Sequence, residues 1–94
     1  MTIETVKWDT SEFLDSEEKI FAYIEATFED GDPALIKKAL GNVARARGMT
    51  AIAREAGVTR EALYKALSEE GDPRLSTLMG VMKALGMKLN AAPN

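Results

Sequence analysis

The first clear period in the chain runs through Ile20, Phe21, Ile24 and Phe28, which recur at helical spacing among acidic neighbours. That spacing predicts a helix with one buried stripe, Tyr23 at its edge and Glu25 and Glu29 toward water. Ser16 before Glu17 and Glu18 supplies an N-cap and negative charge where the helix dipole favours both, and Asp30-Gly31 ends the run. A second start signal follows at once: Asp32 as cap and Pro33 at the first helical position. From there to Arg47, Leu35, Ile36, Ala39, Leu40 and Val43 share a face, Gly41 being a mild flaw and Gly48 the stop. Residues 1 to 10, MTIETVKWDT, alternate imperfectly and predict an extended arm or a short strand. Its Trp8 either tucks against the domain or anchors a partner.

The stretch Met49 to Leu67, MTAIAREAGVTREALYKAL, predicts two short helices around a glycine turn. Thr50 is the expected cap of the first, whose apolar face is Ile52, Ala53 and Ala56. Gly57 makes the turn, Val58 can plug it, and Thr59 caps a second helix with Leu63 and Leu67 inward. The small side chain of Ala53 allows close backbone approach. Arg60, Glu61, Tyr64 and Lys65 are left facing out, as a helix that reads the DNA major groove requires. The competing reading is a helical hairpin in a bundle whose charged face binds nothing. After the loop SEEGDPRLS, Ser76 or Leu75 starts a last helix with Leu78, Met79, Met82 and Leu85 buried and Gly86 at its end. The tail MKLNAAPN is compatible with one short strand, which would need a partner.

At 94 residues the chain suits one domain with a small core. It has no cysteine and no histidine, so disulfides, thiolate or imidazole metal sites and the commonest general base are all excluded. No apolar run is long enough to span a bilayer and the start lacks a secretory pattern, which predicts a cytoplasmic protein without membrane contact. A net charge of −3 argues at first against nucleic acid. The average conceals a division. Residues 1–33 hold two basic side chains against ten acidic ones, a balance of −8, whereas residues 34–94 hold ten basic against five acidic, a balance of +5. Two surfaces with different partners are one consequence, a merely solvated acidic end the other.

The order of these elements resembles the phage repressor/Cro (XRE) class of helix-turn-helix domains. More narrowly, WDTSEFL, EDGDPALIKKALGNVARARGMT and AREAGVTREALYKALSEEGDPRLSTLMGVMKALGMKL resemble a family of small bacterial addiction-module antidote proteins, HigA-like antitoxins of type II toxin-antitoxin pairs. The resemblance implies an all-α, five-helix lambda-repressor-like DNA-binding domain. It further implies an antidote that binds a small basic toxin of the RelE/ParE/HigB type and represses their shared operon. An acidic region 1–31, arm and first helix, then becomes the toxin-binding candidate, packed as one domain with a DNA-binding region 32–94. An acidic surface is suited to steering a cationic toxin.

Position in the pattern places Arg60 at the start of the recognition helix, within reach of a guanine edge, and Glu61 where it can accept from a cytosine amino group or orient Arg60. Lys65 lies one turn on, near bases or phosphate, and Thr59 and Tyr64 suit phosphate oxygens. Backbone N–H groups at Thr50, and at Ser76 and Thr77, offer anion sites at helix starts. For the toxin, Trp8 and Phe13 are the expected apolar anchors and Glu17, Glu18 and Glu25 the charges. One such unit binds feebly, so a two-fold homodimer reading two half-sites is expected, with the last helix and tail as its contact. No cofactor, metal or small-molecule substrate is expected. A stand-alone regulator without a toxin would use the same Arg60 and Lys65, and a purely protein-binding domain would show no salt-sensitive DNA binding. Catalysis by Glu29, Asp30 and Asp32 is disfavoured, because a cap and a turn account for them and no nucleophile motif accompanies them.

Overall fold

The computed structural model describes residues 16–94, which form five α-helices: α1 Glu17–Asp30, α2 Pro33–Arg47, α3 Met49–Ala56, α4 Arg60–Ala66 and α5 Leu75–Ala84. The N-terminal arm with Trp8 and Phe13 lies outside the described residues.

Local chemistry sets most of the boundaries. Ser16 Oγ accepts from the Lys19 N–H at 3.2 Å, and Asp32 Oδ1 accepts from the Ala34 N–H at 3.0 Å with Pro33 at the first turn. Gly31 adopts φ 82° and donates its N–H to Thr27, a left-handed stop that costs other residues more than glycine. The end of α3 is a Schellman closure: the Val58 N–H reaches the Ala53 carbonyl at 3.0 Å and that of Gly57, at φ 78°, reaches Arg54 at 3.2 Å. This closure folds Val58 onto the core, as its place after the turn glycine predicted. The same arrangement ends α5, where Met87 bonds back to Met82 and Gly86 to Lys83. The tail is thereby returned to the body of the protein.

Helix α3 is central, packing on α2, α4 and, most extensively, α5, while α1 packs on α2. The core joins Ile20 and Ile24 of α1 with Ala39, Leu40, Val43 and Ala44 of α2, then Ile52 and Ala53 of α3, Leu63 and Leu67 from α4 and its end, and Val81, Met82 and Leu85. Small residues also let α5 approach α3 closely: a Cβ added to Gly80 would lie 2.9 Å from the Ala56 Cα. Gly41 is buried where the end of α4 arrives, and a Cβ there would meet the flexible Arg45 guanidinium at 3.3 Å and the Leu67 Cβ at an ordinary 3.8 Å.

Five expectations need correction. Phe21 and Met79, placed in buried stripes by periodicity, are each 52% exposed, and Leu35 also faces outward. The reason is one of width: a helix packed on one neighbour buries a narrower arc than the run of apolar residues covers. Thr50 does not cap α3, because Gly48, at φ 110°, ends α2 and starts α3, leaving Thr50 inside the first turn. No strand forms among the described residues; Met87 and Leu89 pack against the core as irregular chain instead.

Candidate functional site

The α3–α4 pair carries the residues on which the sequence reading rests. Leu63, fully buried, fastens α4 to the core from one side, and Leu67 continues that contact past its end. With those two inward, Arg60, Glu61, Tyr64 and Lys65 all lie exposed, as their spacing requires. Thr59 is the observed cap of α4, its Oγ1 accepting from the Ala62 N–H at 3.0 Å. Accepting leaves its O–H proton available for a phosphate oxygen.

Arg60 has a partner that the sequence reading did not foresee. Its guanidinium sits 5.1 Å from the centroid of the Tyr64 ring, and Nη2 donates to the Tyr64 hydroxyl at 3.4 Å. Tyr64, not Glu61, therefore orients Arg60. Residues four apart share a helix face and Arg stacks readily on aromatic rings, so the i, i+4 spacing was the signal available. The contact holds the long side chain close to α4, and the tyrosine O–H remains able to donate outward.

The other expected anion sites differ among themselves. Thr50 is exposed in the first turn of α3 and Ser76 is exposed in the first turn of α5, but Thr77 is buried, which leaves its backbone rather than its hydroxyl to serve a ligand. Helix α5 starts at Leu75 with Arg74 at its cap and no side-chain cap bond. The loop that positions this start is held by Lys37 of α2, whose Nζ donates to the carbonyls of Glu69 at 2.9 Å and Gly71 at 2.6 Å. Gly71 is required there, because an added methyl would overlap the carbonyl oxygens of Lys65 and Ala66. Lys37 was not singled out from sequence, and nothing in its spacing distinguishes it from Lys38.

Glu17, Glu18 and Glu25 are exposed along α1. Glu17 pairs with Arg47 of α2 at 3.3 Å, while its side chain stays 83% exposed, a surface contact of small energetic weight. Asp32 is spent on capping α2, and among the described residues no group of three or more acidic, histidine or cysteine side chains is arranged to hold a metal. No helix among them is long and apolar enough to cross a membrane.

The capped start of α4 thus presents Thr59, Arg60, Tyr64 and Lys65 to solvent on a small all-α domain. Residues 4–93 match the model of a family described as probable addiction module antidote protein, and the chain belongs to that family. It is also 48% identical over 88 residues to an uncharacterized protein of Haemophilus influenzae strain Rd, covering 94% of this chain and 91% of that one. No solved structure matches it significantly.

Proposed function

We propose that this protein is the antitoxin of a type II toxin-antitoxin pair, which neutralises a cognate RelE/ParE/HigB-type toxin by direct binding and represses its own operon through sequence-specific DNA binding. Membership of the antidote family carries the first half of this reading. The single observation that best supports the second is the exposed start of α4, where Arg60 lies over Tyr64 beside the capping Thr59. In this reading α3 and α4 form an XRE-type helix-turn-helix, α4 enters the major groove, and Arg60 addresses a guanine edge with two hydrogen bonds. Glu61 and Lys65 take neighbouring base or phosphate positions, while Thr59, Tyr64, Thr50, Ser76 and the backbone at Thr77 contact phosphates. A homodimer presents two such helices about one turn of DNA apart.

Arg60→Ala is expected to weaken binding to DNA from upstream of the operon by about 1–3 kcal/mol and to relax sequence choice. Thermal unfolding should stay unchanged, since Arg60 is exposed and its contact with Tyr64 lies on the surface. Titration of labelled operator DNA with both proteins, against a shuffled duplex, measures the effect; equal affinity of the two proteins would remove Arg60 from the interface. Lys65→Ala should instead weaken both duplexes alike, as loss of a phosphate contact does. The acidic surface of α1, with Glu17, Glu18 and Glu25, and the arm with Trp8 and Phe13 supply the toxin contact in this account.

A further inference from the structure

A groove of about 460 Å³ runs between α1 and the returned tail, lined by Phe21, Phe28, Met82, Met87 and Leu89 and edged by Glu25 and Lys88. None of the elements described covers it, and Phe21, the large aromatic at its mouth, is 52% exposed. Phe21, Glu25 and Phe28 lie on one flank of α1, and the exposed carboxylates of Glu18 and Glu29 continue that flank. An apolar trough beside a row of carboxylates has a definite complement: an amphipathic helix with an apolar stripe and Lys or Arg along its margin.

The charge decides among occupants. The segment 1–15 carries Glu4, Asp9, Glu12 and Asp15 against Lys7, so seating it here would set carboxylates beside Glu25 and Glu29. A second copy joined through the same face would oppose two acidic flanks. Both self-occupants are disfavoured by like charge, whereas a cationic segment of another protein is drawn in.

We infer that the α1–tail groove seats a cationic amphipathic helix of a partner protein, Phe21 and Phe28 holding its apolar stripe and Glu18, Glu25 and Glu29 its basic margin. Resting on the antitoxin reading, this names the place where the toxin docks, and it adds Phe21, Phe28, Met87 and Leu89 to the surface expected from sequence.

The test uses the full chain with labelled methionine methyl groups, titrated with a synthetic Leu/Lys amphipathic helix and with its Leu/Glu counterpart. The Leu/Lys peptide should shift Met87, in the groove, and leave Met49 unmoved, with affinity falling about tenfold in Phe21→Asp and in Glu25→Lys. Both positions are exposed, so the variants should melt like the wild type, and the second variant preserves the test if the first does not fold. Equal binding by both variants, equal binding of the Leu/Glu peptide, or a Met87 signal that moves on protein dilution or on deletion of residues 1–15 would overturn the inference. Capture of the basic protein encoded next to this gene separates the two levels. If the wild type captures it and Phe21→Asp does so equally, the groove assignment fails and the antitoxin reading stands. If the wild type captures nothing while the peptide binds in a Phe21-dependent way, the antitoxin reading fails and the groove stands.

Discussion

Leu63→Ala is expected to lower stability by about 2–5 kcal/mol and to abolish operator binding together with it. Leu63 is fully buried and is the one residue of the seven in α4 that reaches the core. So short a helix has no independent stability, and its conformation comes from packing. Removing the side chain leaves a void beneath α4 that Leu67, at the helix end, can fill only in part. Against a total stability of about 5–15 kcal/mol for a domain of ordinary kind, that loss is large. Thermal unfolding followed by circular dichroism should show a midpoint lowered by about 10 °C or more. Glu61→Ala, two residues away on the exposed face, should change the midpoint little. A Leu63→Ala protein that melts like the wild type would mean that α4 is held by something other than this contact.

The second large effect is expected at Gly71. Its backbone passes so close to the carbonyls of Lys65 and Ala66 that a methyl group has no room, and carbonyl oxygens on a helix end cannot swing aside as a flexible side chain can. Gly71→Ala must therefore push the loop away from the end of α4, breaking the two bonds that Lys37 donates to Glu69 and Gly71. A cost of about 1–3 kcal/mol follows from such overpacking. Lys37→Met probes the same device from the other side. Because the displaced loop has already lost the lysine, the double variant should be nearly as stable as Gly71→Ala alone, a coupling visible in a double-mutant cycle of denaturant midpoints. Full additivity would show that Lys37 and Gly71 act separately.

How far the sequence foretold this molecule depends on which force set each feature. Helix boundaries were legible at Ser16, Gly31, Asp32 and Thr59, because caps and left-handed stops are decided by a residue and its near neighbours. The cap of α3 was not, since Gly48 closes one helix and opens the next, and a threonine two positions on imitates the usual signal. Exposure was legible on α4, where one buried leucine fixes the phase of the whole helix. It was misread at Phe21 and Met79 because periodicity shows which residues share a face but not how much of that face a neighbour covers. The exposure of Phe21 beside carboxylates is what opens the groove on α1 to solvent. The Arg60–Tyr64 contact follows a helical spacing visible in the sequence, whereas the Lys37 clamp joins residues more than thirty positions apart through backbone carbonyls and leaves no local signal.

In the proposed reading antidote function and repression are distinct activities, the acidic residues 1–33 serving the first and the basic residues 34–94 the second. The measurement that meets both directly is co-expression of the tagged chain with the adjacent reading frame, followed by titration of the eluted material against DNA from upstream of the pair at two salt concentrations. The account predicts co-elution of a small basic protein, loss of that protein's toxicity, and binding to the upstream DNA that weakens steeply as salt rises. Elution of the chain alone, with the neighbour still toxic in its presence, would contradict the account, and specific, salt-sensitive DNA binding in that case would identify a stand-alone regulator.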